Sequence, residues 1–114
     1  MARSIVLFVD DEPLLGEIFQ NYLEETDFEV FTFTQQSEAL RFIARSSPQW
    51  VFVDQHMPEK KGLDFLSSFP SRAFQSVLVT GDAFQVDDLS QSFVDHVLEK
   101  PLSSEDVLAI LNSN

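Results

Sequence analysis

Polar residues follow each of four short apolar runs along this chain. Ile5-Val6-Leu7-Phe8-Val9 runs into Asp10 and Asp11, Trp50-Val51-Phe52-Val53 into Asp54, Val77-Leu78-Val79 into Thr80, and Val97-Leu98 leads by way of Glu99 to Lys100. Runs this short, rich in β-branched and aromatic residues, predict strands buried on both faces rather than helices. The segments between them have helical period. A helix starts at Pro13, carries Leu14, Leu15, Ile18, Phe19, Tyr22 and Leu23 as its inward stripe, and ends near Thr26. Residues 28–33 read as a second strand, and Ser37 to Arg45 as a helix with Ala39, Leu40, Phe42 and Ile43 inward, broken by Ser46-Ser47-Pro48.

Past Asp54, a loop from Gln55 to Lys61 leads through Gly62 into a short helix bearing Leu63, Phe65 and Leu66, closed by Pro70. Residues 82–92 form a weak, polar helix candidate, and residues 95–99 a fifth strand. Ser103 with Asp106 resembles a capping box ahead of Val107, Leu108, Ile110 and Leu111. Strand and helix therefore alternate, giving five of each. That order calls for a parallel α/β sheet, doubly wound, with helices on both faces. Ligands bind at the carboxyl ends of the strands in such sheets, where all four polar sets fall.

With 114 residues and 44% hydrophobic content, the chain can enclose one core, so residues 1–114 are expected to form one domain. It has no cysteine, which excludes disulfides and thiolate metal sites. The first apolar run is five residues long and ends in Asp10-Asp11-Glu12, unlike a signal peptide or a membrane span, so a cytoplasmic location is expected. Seven basic against 19 acidic residues give a formal net charge of −12, which disfavours direct contact with nucleic acid or an anionic membrane. After Arg72 the only Lys or Arg is Lys100, among many acidic residues. A face of that sign attracts a basic partner.

Asp10, Asp11 and Asp54 carry the chemistry. If the first and third strands are neighbours, as at the switch point of a 2-1-3-4-5 sheet, the three carboxylates converge. Two unit charges about 5 Å apart repel by roughly 3 kcal/mol at an effective dielectric near 20, so three pairs amount to about 10 kcal/mol unless cations offset them. Lys100 supplies one positive charge. A hard divalent ion with oxygen ligands supplies two more, and magnesium suits a few carboxylates, a backbone carbonyl and waters. With positive charge nearby, one carboxylate oxygen can accept a phosphoryl group, and Asp54 is the natural nucleophile. Taken singly, each residue has a plainer use: an acid near a helix start, a β-former, an exposed lysine. The conjunction is what points to a site. The phenylalanines, Phe8, Phe19, Phe28, Phe42, Phe52 and Phe65 among them, are core filler.

In Val9-Asp10-Asp11-Glu12, Val53-Asp54-Gln55-His56-Met57-Pro58 with Gly62 beyond, Thr80-Gly81 and Lys100-Pro101, the chain resembles receiver domains of two-component response regulators over essentially its whole length. The resemblance implies a flavodoxin-like, five-stranded sheet of order 2-1-3-4-5 with five helices. It implies that Asp54 takes a phosphoryl group from a histidine kinase or histidine phosphotransfer protein, loses it by autodephosphorylation, and shifts conformation toward a downstream effector protein or domain. Such a domain is a signalling device that assists only its own modification, not an enzyme acting on other substrates. By the same resemblance, Asp11 and Asp54 ligate Mg2+ directly, Asp10 acts largely through water, and the His56 carbonyl completes the protein ligands. Thr80 and Lys100 would engage the phosphoryl oxygens, with the Lys100-Pro101 bond cis. His56 and Asp82 would flank the attacking water's route and modulate the lifetime of the phosphorylated state.

Two departures from the family pattern change expectations. Val97 stands where the family usually has an aromatic switch residue, and a stiff β-branched side chain cannot swing as a ring does. Activation is therefore expected to be read through the loop 80–84. The acidic final third also lacks the basic members of the network by which many transcriptional relatives dimerise, so that dimer is not expected. A flavin domain of the same fold is disfavoured, because Asp10-Asp11-Glu12 would repel the phosphate. A phosphohydrolase is disfavoured because His56, not an acid, follows the nucleophile by two. The competing function is a phosphorylation-independent interaction module of the same fold.

Overall fold

The computed structural model describes residues 3–69, 73–81 and 94–113. Five parallel strands, β1 (Ser4–Val9), β2 (Phe28–Phe33), β3 (Trp50–Asp54), β4 (Gln75–Thr80) and β5 (His96–Glu99), form one sheet of order β2-β1-β3-β4-β5. Four helices are described: α1 (Pro13–Tyr22), α2 (Gln36–Ser46), α3 (Gly62–Ser67) and α4 (Ser104–Leu111). The expected doubly wound, flavodoxin-like architecture is thus observed. The fifth expected helix, residues 82–92, lies outside the described residues, as does Pro70. No helix among the described residues is long and apolar enough to cross a membrane.

Alternation along the central strands supplies two cores at once, since successive side chains point to opposite faces. Val6, Phe8, Trp50, Phe52, Val77 and Val79 pack with Phe19 and Leu23 from the α1 segment and Val107 and Leu111 from α4. Leu7, Val9, Val51, Val53 and Leu78 face the other way, onto Ala39 of α2 and Phe65 and Leu66 of α3. Phe8 stacks on Phe19 at 4.4 Å between ring centroids, and Phe19 meets Phe52 edge-on at 4.9 Å. Edge strand β2 is covered less completely: Phe28 and Val30 border one core and Phe33 the other, while Glu29 and Thr32, one on each face, are exposed.

Two details of the inward stripes are corrected. Leu14 and Leu40 were expected inside, yet they are 62% and 47% exposed. Each lies beside the sheet-facing arc of its helix, where Leu15 and Ala39 already fill the contact with the strands. Helix α1 also stops at Tyr22, and Leu23 and Thr26 close it through a turn in which the Thr26 hydroxyl donates to the Leu23 carbonyl at 2.6 Å. Of the expected Ser103–Asp106 capping box, the serine half is present: the Ser103 hydroxyl accepts from the Asp106 N–H at 3.2 Å.

Ser47 ends α2 in the left-handed region, at φ 50. A side chain there is strained by roughly 1–2 kcal/mol. Ser47→Gly is therefore expected to stabilise the chain by about 0.5–1 kcal/mol after glycine's entropic disadvantage, read as a higher urea midpoint. A lower midpoint would show that the serine side chain contributes more than its backbone loses.

Candidate functional site

Register carries the site. β1 pairs with β3 as Val9↔Val53, and β3 pairs with β4 as Asp54↔Val79, so the residues just beyond these pairs emerge together at one edge of the sheet. Asp10, Asp11 and Asp54 each offer a carboxylate oxygen within 4.8 Å of the others. Asp10 and Asp54 are 2% and 3% exposed, whereas Asp11 is open to solvent. The cluster is a buried pair of acids with a third forming its mouth.

Lys100 reaches this cluster from β5. Its backbone N–H donates to the Thr80 carbonyl at 2.8 Å, and its Nζ lies 3.1 Å from Asp54 Oδ1 and 3.4 Å from Asp10 Oδ2. The Lys100-Pro101 peptide is cis, as expected. Asp10 is further fixed by its Oδ1, which accepts the Glu12 N–H at 2.9 Å. Asp10 Oδ2 and Asp54 Oδ1 have no well-formed hydrogen bond among the described residues, so the lysine ammonium meets them as a charge rather than a directed donor.

Three carboxylates against one ammonium leave an excess of negative charge. Burial, the Glu12 amide acting against it, and the neighbouring Asp54 charge together raise the Asp10 pKa above its ordinary value. For Lys100, burial works to lower the pKa, but Asp10 and Asp54 outweigh it and hold the ammonium above the usual lysine range. Excess charge, hard oxygen donors and two buried oxygens lacking directed donors fit a divalent cation such as magnesium.

The sign for Asp10 follows from linkage. Its folded-state pKa exceeds the unfolded one, so the folded chain holds the extra proton between the two values and stability falls as pH rises through that window. Lys100 has the same sign at the alkaline end: its stabilisation is fully present below the ordinary lysine pKa and is lost as pH climbs through the raised folded value. In metal-free protein, Asp10→Asn should flatten the decline above pH 3.8 and, because Asp10 is the foremost charge raising the Lys100 pKa, shrink the alkaline limb as well. Urea midpoints taken across both the acid and the alkaline limb check this, and unchanged slopes would contradict it.

Thr80 is buried at 2% exposure at the end of β4, one step beyond the Asp54↔Val79 pair. The five residues Asp10, Asp11, Asp54, Thr80 and Lys100 therefore share one edge. His56 is also placed there by the loop after β3, but its side chain is exposed. Val97 sits within β5, half-buried and paired with Leu78. Asp82 lies outside the described residues, and so does most of the loop 80–84.

Gly62 and Gln55 brace the site from behind. A Cβ at Gly62 would stand 2.5 Å from the Asp54 carbonyl oxygen and 3.0 Å from Leu78 Cδ1, so only glycine lets α3 start against the backbone of Asp54. Gln55 closes the turn: its carbonyl accepts from Gly62 N–H at 3.0 Å, and its Oε1 accepts from Leu63 N–H at 2.9 Å. Gln55 was not singled out from the sequence. A cap seven residues ahead of the first residue of its helix has no local signature, unlike the Ser103 cap.

The chain matches the family described as Response regulator receiver domain over residues 6–112. It is 34% identical over 124 aligned positions to response regulator Rre1 of Synechocystis sp., covering 99% of this chain and 52% of that protein. To the transcriptional regulatory protein KdpE of Mycobacterium tuberculosis it is 26% identical over 113 positions, covering 96% of this chain and 50% of that protein. The chain thus spans about half the length of these curated relatives. Among solved structures it is similar to a CheY-like receiver domain from Methylobacillus flagellatus, with a TM-score of 0.89 at 23% identity, covering 97% of this chain and 98% of the other. It is also similar to the response regulator TrrA of Thermotoga maritima, with a TM-score of 0.86 at 24% identity and coverage of 96% and 97%. These likenesses agree with the strand order, and together with the acidic edge and its lysine they place the chain in the response regulator receiver domain family.

Proposed function

We propose that this is the phosphoacceptor receiver of a two-component system, cytoplasmic, and that Asp54 is the residue phosphorylated. The observation that carries it is the convergence of three carboxylates within 4.8 Å, with Lys100 Nζ 3.1 Å from Asp54. The donor is a phosphohistidine on a histidine kinase or phosphotransfer protein. Asp11, Asp54 and the His56 carbonyl would hold Mg2+, with Asp10 acting through water; the ion supplies positive charge opposite the phosphoryl oxygens. The T. maritima TrrA structure, of the same fold, is in complex with Mg(2+)-BeF, which supports this assignment.

In the transfer, an Asp54 carboxylate oxygen attacks phosphorus, the phosphorus–nitrogen bond breaks, and the donor imidazole leaves and takes up a proton. Asp54 is suited to attack because it is fixed at the end of a fully buried strand. Lys100 turns from pairing with Asp10 and Asp54 to pairing with the phosphoryl oxygens, and the Thr80 hydroxyl donates to them. Water later attacks phosphorus, releasing inorganic phosphate and restoring the carboxylate, on a route that His56 and Asp82 flank and modulate. With Val97 in place of a ring, the phosphorylated state is read through the loop 80–84 by a downstream effector, as a shift of population between two arrangements.

Intact-mass measurement after exposure to a small phosphodonor with Mg2+ tests this. Wild type should gain one phosphoryl adduct located at Asp54, and Asp54→Ala none. An unmodified wild type would favour the phosphorylation-independent interaction module, and an adduct elsewhere would overturn the assignment of Asp54.

A further inference from the structure

Gln36, the first residue of α2, is a buried amide that reaches across the chain to the loop after β3. It is 3% exposed, and its Nε2 donates to the Lys60 carbonyl at 2.8 Å. Its backbone N–H donates to Glu59 Oε2, also at 2.8 Å. Helix α2 has no side-chain cap from its own N-cap residue, Gln35. The carboxylate that meets the positive end of this helix therefore comes from Glu59, in the loop.

The loop is gripped at both ends. Gln55 ties one end to β4 and α3, with its N–H donating to the Val79 carbonyl at 2.8 Å and its own carbonyl receiving Gly62. Gln36 ties the other, through Glu59 and Lys60. Between them His56 is exposed, while Met57 is pinned in the core at 7% exposure.

Gln36 Oε1 has no hydrogen-bond partner among the described residues and is buried. A buried acceptor left unpaired is unfavourable, so an apolar side chain of similar volume would suit this position at least as well for stability alone. What leucine cannot do is hold the Lys60 carbonyl. We infer that Gln36 is a positioning residue: with Glu59 it latches the loop 55–61 to α2 and so fixes the His56 backbone where the acidic cluster can use it. This rests on the proposed role of the His56 carbonyl toward a cation.

Gln36→Leu, with Glu59→Ala as a second variant, separates positioning from stability in the whole chain. Amide hydrogen exchange of the metal-free protein at residue 36, whose N–H is held by Glu59, and at Gly62 and Leu63, held by Gln55, should quicken by about tenfold in Gln36→Leu, while the urea midpoint stays within error of wild type. Mg2+ affinity, measured by calorimetry without any phosphodonor, should weaken by about tenfold. Glu59→Ala, which removes the acceptor of the residue-36 N–H, should shift both readouts in the same direction, and it decides the matter if Gln36→Leu does not fold. Unchanged exchange overturns the latch. Faster exchange with unchanged Mg2+ affinity overturns the positioning role. Wild type that takes up no Mg2+ overturns the cation reading instead, a failure visible before either variant is compared.

Discussion

Gly62→Ala is expected to destabilise the chain by about 2 kcal/mol and to lower Tm by on the order of 10 °C. The added methyl would stand 2.5 Å from the carbonyl oxygen of Asp54, and a backbone atom cannot rotate aside as a side chain can. Either α3 or the end of β3 must shift. Both carry the site, because α3 begins where Gln55 closes the turn behind Asp54. Phosphoryl uptake should therefore fall by roughly tenfold to a hundredfold even at temperatures where the variant is folded, since displacements near 1 Å have that effect on positioned groups. Thermal melts and adduct formation measured on one preparation check both parts. A variant with wild-type Tm would mean that α3 relaxes away from Asp54 freely.

Lys100→Ala should move magnesium binding and stability in opposite directions. The ammonium neutralises two buried oxygens that lack directed donors among the described residues, so its loss leaves Asp10 and Asp54 facing each other. A fully buried pair broken in this way loses 3–5 kcal/mol. Lys100 is 28% exposed along its side chain, and that access to solvent reduces the expected loss in metal-free protein to about 1–2 kcal/mol. The same removal takes away a positive charge that competes with a dication for the carboxylates. Mg2+ should then bind about tenfold more tightly, while phosphoryl uptake falls because the incoming oxygens lose a counter-charge. Calorimetric titration and intact mass read these two effects separately. Weaker Mg2+ binding in Lys100→Ala would show that the lysine organises the cluster rather than competing within it.

Strand order and the acidic edge were legible before any coordinates. Apolar runs ending in Asp10-Asp11, Asp54, Thr80 and Lys100 are local patterns, and a parallel sheet has few ways to arrange them. The same holds for the Ser103 cap, whose partner is three residues away. Leu14 and Leu40 were misplaced because helical period marks an arc, and which residues at its margin are covered depends on what packs opposite.

What the chain determines by itself is the alternation of strand and helix, the placement of charge at strand ends and the residue types a phosphoacceptor site needs. These follow from side-chain period and from the chemistry of carboxylate, hydroxyl and ammonium groups. Only the folded molecule decides that Asp10 and Asp54 are buried while Asp11 is open, that Gly62 lies against the Asp54 carbonyl, and that Gln36 and Glu59 hold the loop around His56. It also decides the pairing of Lys100 with Asp10, 90 positions away in the chain. Distances, burial and the resulting pKa shifts exist only once long-range packing has excluded water from one side of each group.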